Sequence, residues 1–347
     1  MALGLVVASD IASAVLTYYV RGQTLSQSTQ DKPLLRELKA GQKFFPAGNL
    51  QISEPIQFNY MSDNPGFFVG YSEDDVITFQ QAQNILRVVY PWRETSAGLG
   101  FSWTEMKKGG VSISNNNKTS VHADREATIL TELMENRMKD FNESWQRAVN
   151  MMLWSDGSQD AKAVPGMKSL LLDVPNIGST GGISRVQYPL WQNMVNLNIG
   201  VSAENQTLSR TLRNSIRLLK QYGGKPNKAF CGSKFMEALE LEIQAKGQLT
   251  MTGFRKDEAT DIGMNSVSMT GLGKFELDFT LDNRGEANRC YVWDSRRIQL
   301  MPMTGEENKV LVPERPYNYM VFFRSITWTG GLVCRQENCN AIFAVNF

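Results

Sequence analysis

The sequence holds one histidine, His122, and four cysteines, Cys231, Cys290, Cys334 and Cys339. These residues bound any nucleophilic or metal chemistry. A Ser-His-Asp or Cys-His mechanism has only His122 as its base, and no Gly-x-Ser-x-Gly turn presents a serine. His122 stands where a long helical pattern begins, and a polar residue there serves the helix end. Structural zinc needs clustered ligands. The cysteines form no Cys-x-x-Cys and lie far from His122 in sequence, so they read as scattered, reduced core thiols. Gly271-Leu272-Gly273-Lys274 fails as a phosphate loop, because Ser268 replaces the first glycine and Phe275 the hydroxyl residue. Glu73-Asp74-Asp75 and Glu306-Glu307 set adjacent carboxylates on opposite faces of an extended chain, poor geometry for a shared metal or an acid–base pair. No catalytic residue, cofactor site or metal site is expected.

Two groups of charge remain. Arg210, Arg213, Arg217 and Lys220 recur at steps of three, four and three, hence on one helical face, while Leu208, Leu212, Ile216 and Leu219 form a separate apolar face. Such a stripe is a solvated face, a surface for an acidic partner, or a contact for nucleic-acid phosphate. Residues 51–100 hold six carboxylates (Glu54, Asp63, Glu73, Asp74, Asp75, Glu94) against two arginines. The triplet Glu73, Asp74, Asp75 is the densest acidic cluster there and a candidate contact.

The elements that carry these groups read as a mixture of helices and strands. Asp31 can cap a short helix that tolerates Pro33 and ends at Gly41. Strand-like pieces at 52–60, 66–79 and 85–92 are broken at Asn64-Pro65-Gly66 and Ser96-Ala97-Gly98. From about 121 to 154 apolar residues recur at Leu130, Leu133, Met134, Met138, Phe141, Trp145, Ala148 and Met152, with Ser120 or Asp124 as a cap. That pattern predicts one helix about 50 Å long, with Phe141 and Trp145 as its packing centre and the turn cluster Ser155–Ser158 as its end. A second mixed unit follows, with helices at 205–222 and 233–246 and strands at 228–231, 275–281, 290–294 and 298–302. The tail, 319–328 and 332 onward, is again strand-like.

Composition limits the function. A chain of 347 residues matches roughly two domains, one large domain or three small ones, and 10% aromatic content excludes a disordered chain. With 36 basic against 35 acidic residues, no global field draws it to nucleic acid or lipid. The stretch 2–20 carries Asp10 and Ser13 within its apolar run and has no basic leader, so it reads as an arm that docks on protein and not in a membrane.

The order of parts resembles the major capsid protein of tailed bacteriophages, the Hong Kong 97-like fold. The resemblance is carried by Trp154-Ser155-Asp156-Gly157-Ser158, Val164-Pro165-Gly166-Met167-Lys168-Ser169-Leu170, Gly181-Gly182-Ile183-Ser184-Arg185, Tyr188-Pro189-x-Trp191-x-Asn193, and Ile326-Thr327-Trp328-Thr329-Gly330-Gly331-Leu332-Val333. It implies an α+β chain with an N-terminal arm (1–48) and an extended β loop (49–118). A peripheral domain built on the long spine helix (119–160 with 305–347) and a mixed α/β axial domain (161–304) complete it. It further implies a virion shell protein, assembled in the host cytoplasm with itself as hexamers and pentamers. A separate scaffolding protein, a portal, packaged double-stranded DNA and decoration proteins would be the other partners. The basic stripe would then face a neighbouring subunit or the genome. The type member links loop lysines to asparagines, but no Lys occurs between Lys43 and Lys107 here. The alternatives are an α+β enzyme whose site is unrecognised and another phage structural protein.

Overall fold

The computed structural model describes residues 30–58, 60, 67–76, 84–102, 104, 108, 123–202, 204–245, 266–269, 273–311 and 321–346, with backbone alone at 101, 123–136, 244–245, 266–269, 311 and 321–324. His122, Ser120, the stretch 2–20 and Gly271-Leu272 lie outside the described residues, as do the side chains of Asp124, Leu130, Leu133 and Met134. Contacts divide the chain into two units, one holding residues 95–149 and 305–328, the other 31–94, 150–304 and 329–347.

Helix α1 (Pro33–Ala40) buries Leu34, Leu35 and Leu38. Its N-cap is Lys32 and not Asp31. Asp31 Oδ1 instead accepts from the Lys32 amide at 2.8 Å, one residue too early to reach the first helical turn. Strands β1 (Ile52–Gln57) and β2 (Ile85–Tyr90) pair antiparallel, with Ile52 opposite Tyr90 and Gln57 opposite Ile85. Strand β3 (Arg93–Ser102) runs straight through Ser96-Ala97-Gly98. The break expected there is absent because β3 pairs with the long C-terminal strand. The described part of the piece expected at 66–79, residues 67–76, forms bends and a turn instead of a strand.

Helix α2 (Ala123–Trp154) is 32 residues long and stops where the turn cluster begins. There Asp156 Oδ1 accepts from both the amide and the hydroxyl of Ser158. After α3 (Met167–Leu170) and the small hairpin β4 (Ser179–Thr180) and β5 (Ile183–Ser184) comes the main sheet. It is built from β6 (Met194–Gly200), β7 (Lys228–Cys231), β8 (Ser266–Met269), β9 (Gly273–Leu277), β10 (Arg289–Trp293) and β14 (Ala341–Asn346), in the spatial order β6-β14-β10-β7-β9-β8. Helices α4 (Thr207–Leu219) and α5 (Ser233–Ala245) pack on one face. Their core joins Leu208, Leu212, Phe235 and Leu239 to Cys231, Cys290, Val292 and Phe343. Alternate strand residues point the other way by the two-residue period of a strand. Phe230, Tyr291, Trp293 and Ile342 are therefore buried on the second face, where the Tyr291 ring lies 5.1 Å from that of Trp154.

The stretch 275–281 is not one strand. β9 ends at Leu277, and α6 (Phe279–Asn283) follows, because Asp278 caps a helix by accepting from the Thr280 amide at 2.8 Å. The tail differs too. β13 (Val321–Cys334) runs unbroken for 14 residues, pairing with β11 (Ile298–Pro302) through 330–334 and with β12 (Lys309–Leu311) through 325–327. Gly331 permits this close packing, since a Cβ there would meet the Pro91 carbonyl oxygen at 2.9 Å.

Candidate assembly surfaces

Helix α4 begins beside Gln206, which sits in the left-handed region at φ 52°, and α4 has no acidic side chain in its first turn. Glu242 of α5 supplies one. Fully buried, it accepts from the amides of Leu208 (2.7 Å) and Ser209 (2.8 Å) and from the Ser209 hydroxyl (2.7 Å). A carboxylate at the positive end of a helix satisfies amides that have no partner within it. This clamp fixes which side of α4 faces inward. Leu208, Leu212, Ile216 and Leu219 are buried, whereas Arg210, Arg213, Arg217 and Lys220 are exposed. Beyond the helix Gly224 packs against Cys339, where a Cβ would lie 2.3 Å from the cysteine Cβ. Lys225 follows, exposed, its amide donating to Asp294 Oδ2 at 3.0 Å. Sequence reasoning missed Lys225, which lies beyond the helical spacing that marked the other four.

Glu73, Asp74 and Asp75 are all exposed. Asp75 closes a tight turn: its amide donates to the Ser72 carbonyl at 3.0 Å, and its carboxylate accepts from the Ser72 amide at 2.8 Å. Ahead of this turn Phe67, Phe68, Val69 and Tyr71 stand in solvent, Phe68 at 95% exposure. Sequence analysis singled out the charge but not this aromatic run. Its signal was present in Phe67-Phe68-Val69 next to Gly66 and Gly70.

The root of the β1–β2 hairpin is held by polar contacts from distant segments. The Tyr90 hydroxyl donates to the Cys334 carbonyl at 2.9 Å, and Arg335 pairs with Glu54 at 2.7 Å. Gly181, at φ +60°, lies so close to Val88 that a Cβ would sit 2.0 Å from the valine Cγ1.

On α2, Trp145 is buried and its indole N–H donates to Asn308 Oδ1 at 3.0 Å. Phe141 is half-buried, and Ala148 is exposed. The last turn buries Asn150, Leu153 and Trp154. Asn150 accepts from the Leu35 amide and donates to Thr280 Oγ1, and Trp154 donates to Asp278.

A buried charge pair accounts for several motif residues whose roles the sequence did not disclose. Arg185 is fully buried. Its guanidinium donates to Thr180 Oγ1 (2.8 Å), Asn193 Oδ1 (2.7 Å) and the Leu170 carbonyl, and the Trp191 indole donates to the Thr180 carbonyl. Glu337, equally buried, lies 3.6 Å from Arg185 Nη2. Burial pushes its carboxyl up to about 7 against the opposing pull of Arg185.

Among the described residues no cluster of His, Cys, Asp or Glu could hold a metal ion, and no helix is long and apolar enough to cross a membrane.

No protein-family model matches the sequence, and no curated protein matches it. Solved structures do. The capsid asymmetric unit of cyanophage A-1(L) is similar over 92% of this chain and 94% of that chain, with a TM-score of 0.61 at 12% identity. The capsid of the Myoviridae phage XM1 covers 93% and 95%, with a TM-score of 0.56 at 11% identity. The chain has the Hong Kong 97-like capsid fold. The capsid of an empty GTA particle is a third example, at 95% and 96% coverage, TM-score 0.55 and 11% identity. At such identities the capsid fold is shared while nearly every side chain differs, so surface chemistry has to be read from this chain alone.

Proposed function

We propose that this chain is the major capsid protein of a tailed phage, assembling with itself into the hexamers and pentamers of an icosahedral shell around double-stranded DNA. The observation that carries the reading is a likeness to capsid chains that extends over more than nine-tenths of both partners. An α+β enzyme is not favoured, since the similar solved structures are capsid chains.

Within this reading residues 1–48 are the arm, 49–118 the extended loop, 119–160 and 305–347 the peripheral domain, and 161–304 the axial domain, except that β14 at 341–346 lies inside the axial sheet between β6 and β10. The grouping of 95–149 with 305–328 in one unit supports a peripheral part. A separate scaffolding protein, a portal and decoration proteins are the expected partners, and assembly takes place in the host cytoplasm before the protein resides in the virion capsid. Phe141 and Trp145 serve the spine helix as packing residues.

Co-expression with the scaffolding protein, followed by sedimentation and electron microscopy, tests the proposal. Shells or capsomers are expected. A persistent monomer across concentration and salt overturns it.

A further inference from the structure

We propose that the basic face of α4 is the docking site for residues 67–76 of a second copy of the chain. The inference rests on the capsid reading and names one contact within it. Arg210, Arg213, Arg217 and Lys220, with Lys225 just beyond, form no ion pair among the described residues, and α4 itself carries no carboxylate. Five cations elsewhere in the same unit, Lys168, Arg185, Lys228, Arg289 and Arg335, each face a carboxylate, whereas α4 gathers four, unpaired among the described residues, on one face. In a protein of net charge +1 such a concentration of one sign is a local positive field that attracts an acidic surface.

The complement lies on the same chain. Residues 67–76 contain Glu73, Asp74 and Asp75 and no cation. None of the three acids meets a Lys or Arg among the described residues, and the Ser72–Asp75 turn holds them in one place. Phe68 and Val76 are 95% and 89% exposed, and large exposed apolar side chains grouped together mark a contact surface. Beside the stripe, Leu218 is 56% exposed and offers apolar footing.

Two copies cannot join basic face to basic face, because like charges would meet. Basic face against acidic segment is a head-to-tail contact, and such a contact repeated by rotation closes a ring. Pentamers and hexamers need that kind of contact. Nucleic acid would neutralise the cations too, but it would leave the acidic turn and its aromatic neighbours in water. A second copy satisfies both patches at once.

The test uses the full chain in the assembly reaction above. Arg213→Glu with Arg217→Glu, and separately Glu73→Lys with Asp74→Lys, should each lower particle yield about tenfold with circular dichroism unchanged. Combining all four substitutions should restore yield to within about threefold of the parent. Should a reversal misfold, Arg213→Gln and Asp74→Asn replace it, with losses of about threefold expected. Normal yield from either side, or no recovery in the combination, overturns the pairing and leaves the capsid reading standing. Normal shells that hold less DNA overturn it in favour of nucleic acid. A parent chain that never forms particles removes the capsid reading and the pairing with it.

Discussion

The indole N–H of Trp154 donates to Asp278 Oδ2 at 2.9 Å, while Oδ1 of the same carboxylate accepts from the Thr280 amide at 2.8 Å. One buried side chain thus caps α6 and anchors the end of the long helix α2 to it. Burial pushes the Asp278 carboxyl up, and these hydrogen bonds draw it back. Asp278→Ala removes the cap and strands a buried indole N–H, so a loss of about 2–4 kcal/mol is expected from denaturant unfolding. Trp154→Phe should cost less on the polar count. The double variant should fall short of the sum of the two, and additive losses would show that the two groups do not act together.

Glu337 should give stability a distinct pH dependence. An unfolded glutamate ionises near 4.5, whereas burial holds this one to about 7. Between those values the folded chain binds the extra proton, so stability falls as pH rises from about 4.5 to about 7 and then levels. The effect is on the order of 3 kcal/mol. Thermal melts of Glu337→Gln across this range should lack the slope that the parent shows. An identical slope in both proteins refutes the assignment.

Glu242 is expected to govern the first turn of α4. Glu242→Ala leaves two buried amides and a hydroxyl without an acceptor, and a loss of about 2–4 kcal/mol follows from the price of unpaired buried donors. Hydrogen exchange should quicken at Leu208 and Ser209 before it quickens elsewhere in the helix. Uniform exchange along α4 would place its stability in the apolar face alone.

Mature particles should run as one monomer band on a denaturing gel. Lysine–asparagine crosslinking needs an amine nucleophile, and no Lys lies between Lys43 and Lys107; Arg87 and Arg93 cannot replace it. A covalent ladder would contradict this.

Much of the architecture is legible where one physical signal dominates. The two faces of α4 follow from residue spacing, and α2 from an uninterrupted 3.6-residue period that ends in a turn cluster. The errors arise where a distant partner decides. Phe275, Leu277, Phe279 and Leu281 alternate like a strand, but Asp278 bonds Trp154, 124 residues away, and turns the chain into α6. Ser96-Ala97-Gly98 looks like a break, yet β13 supplies the partner strand that carries β3 through it. At the candidate surfaces, charge can be read from the sequence because it is local. The burial of Arg185 beside Glu337 cannot, since those residues stand far apart in the chain and meet only in the fold.

All four cysteines are free and wholly buried, on β7, β10, the end of β13 and the turn before β14. Burial raises each thiol, that of Cys339 to about 12, so the native protein offers an alkylating reagent almost no thiolate. Labelling must wait for the fold to open around each thiol. The rate at which a thiol dye is taken up therefore times that opening with no engineered tag, and the same dye could follow a subunit loosening or tightening as it enters a particle.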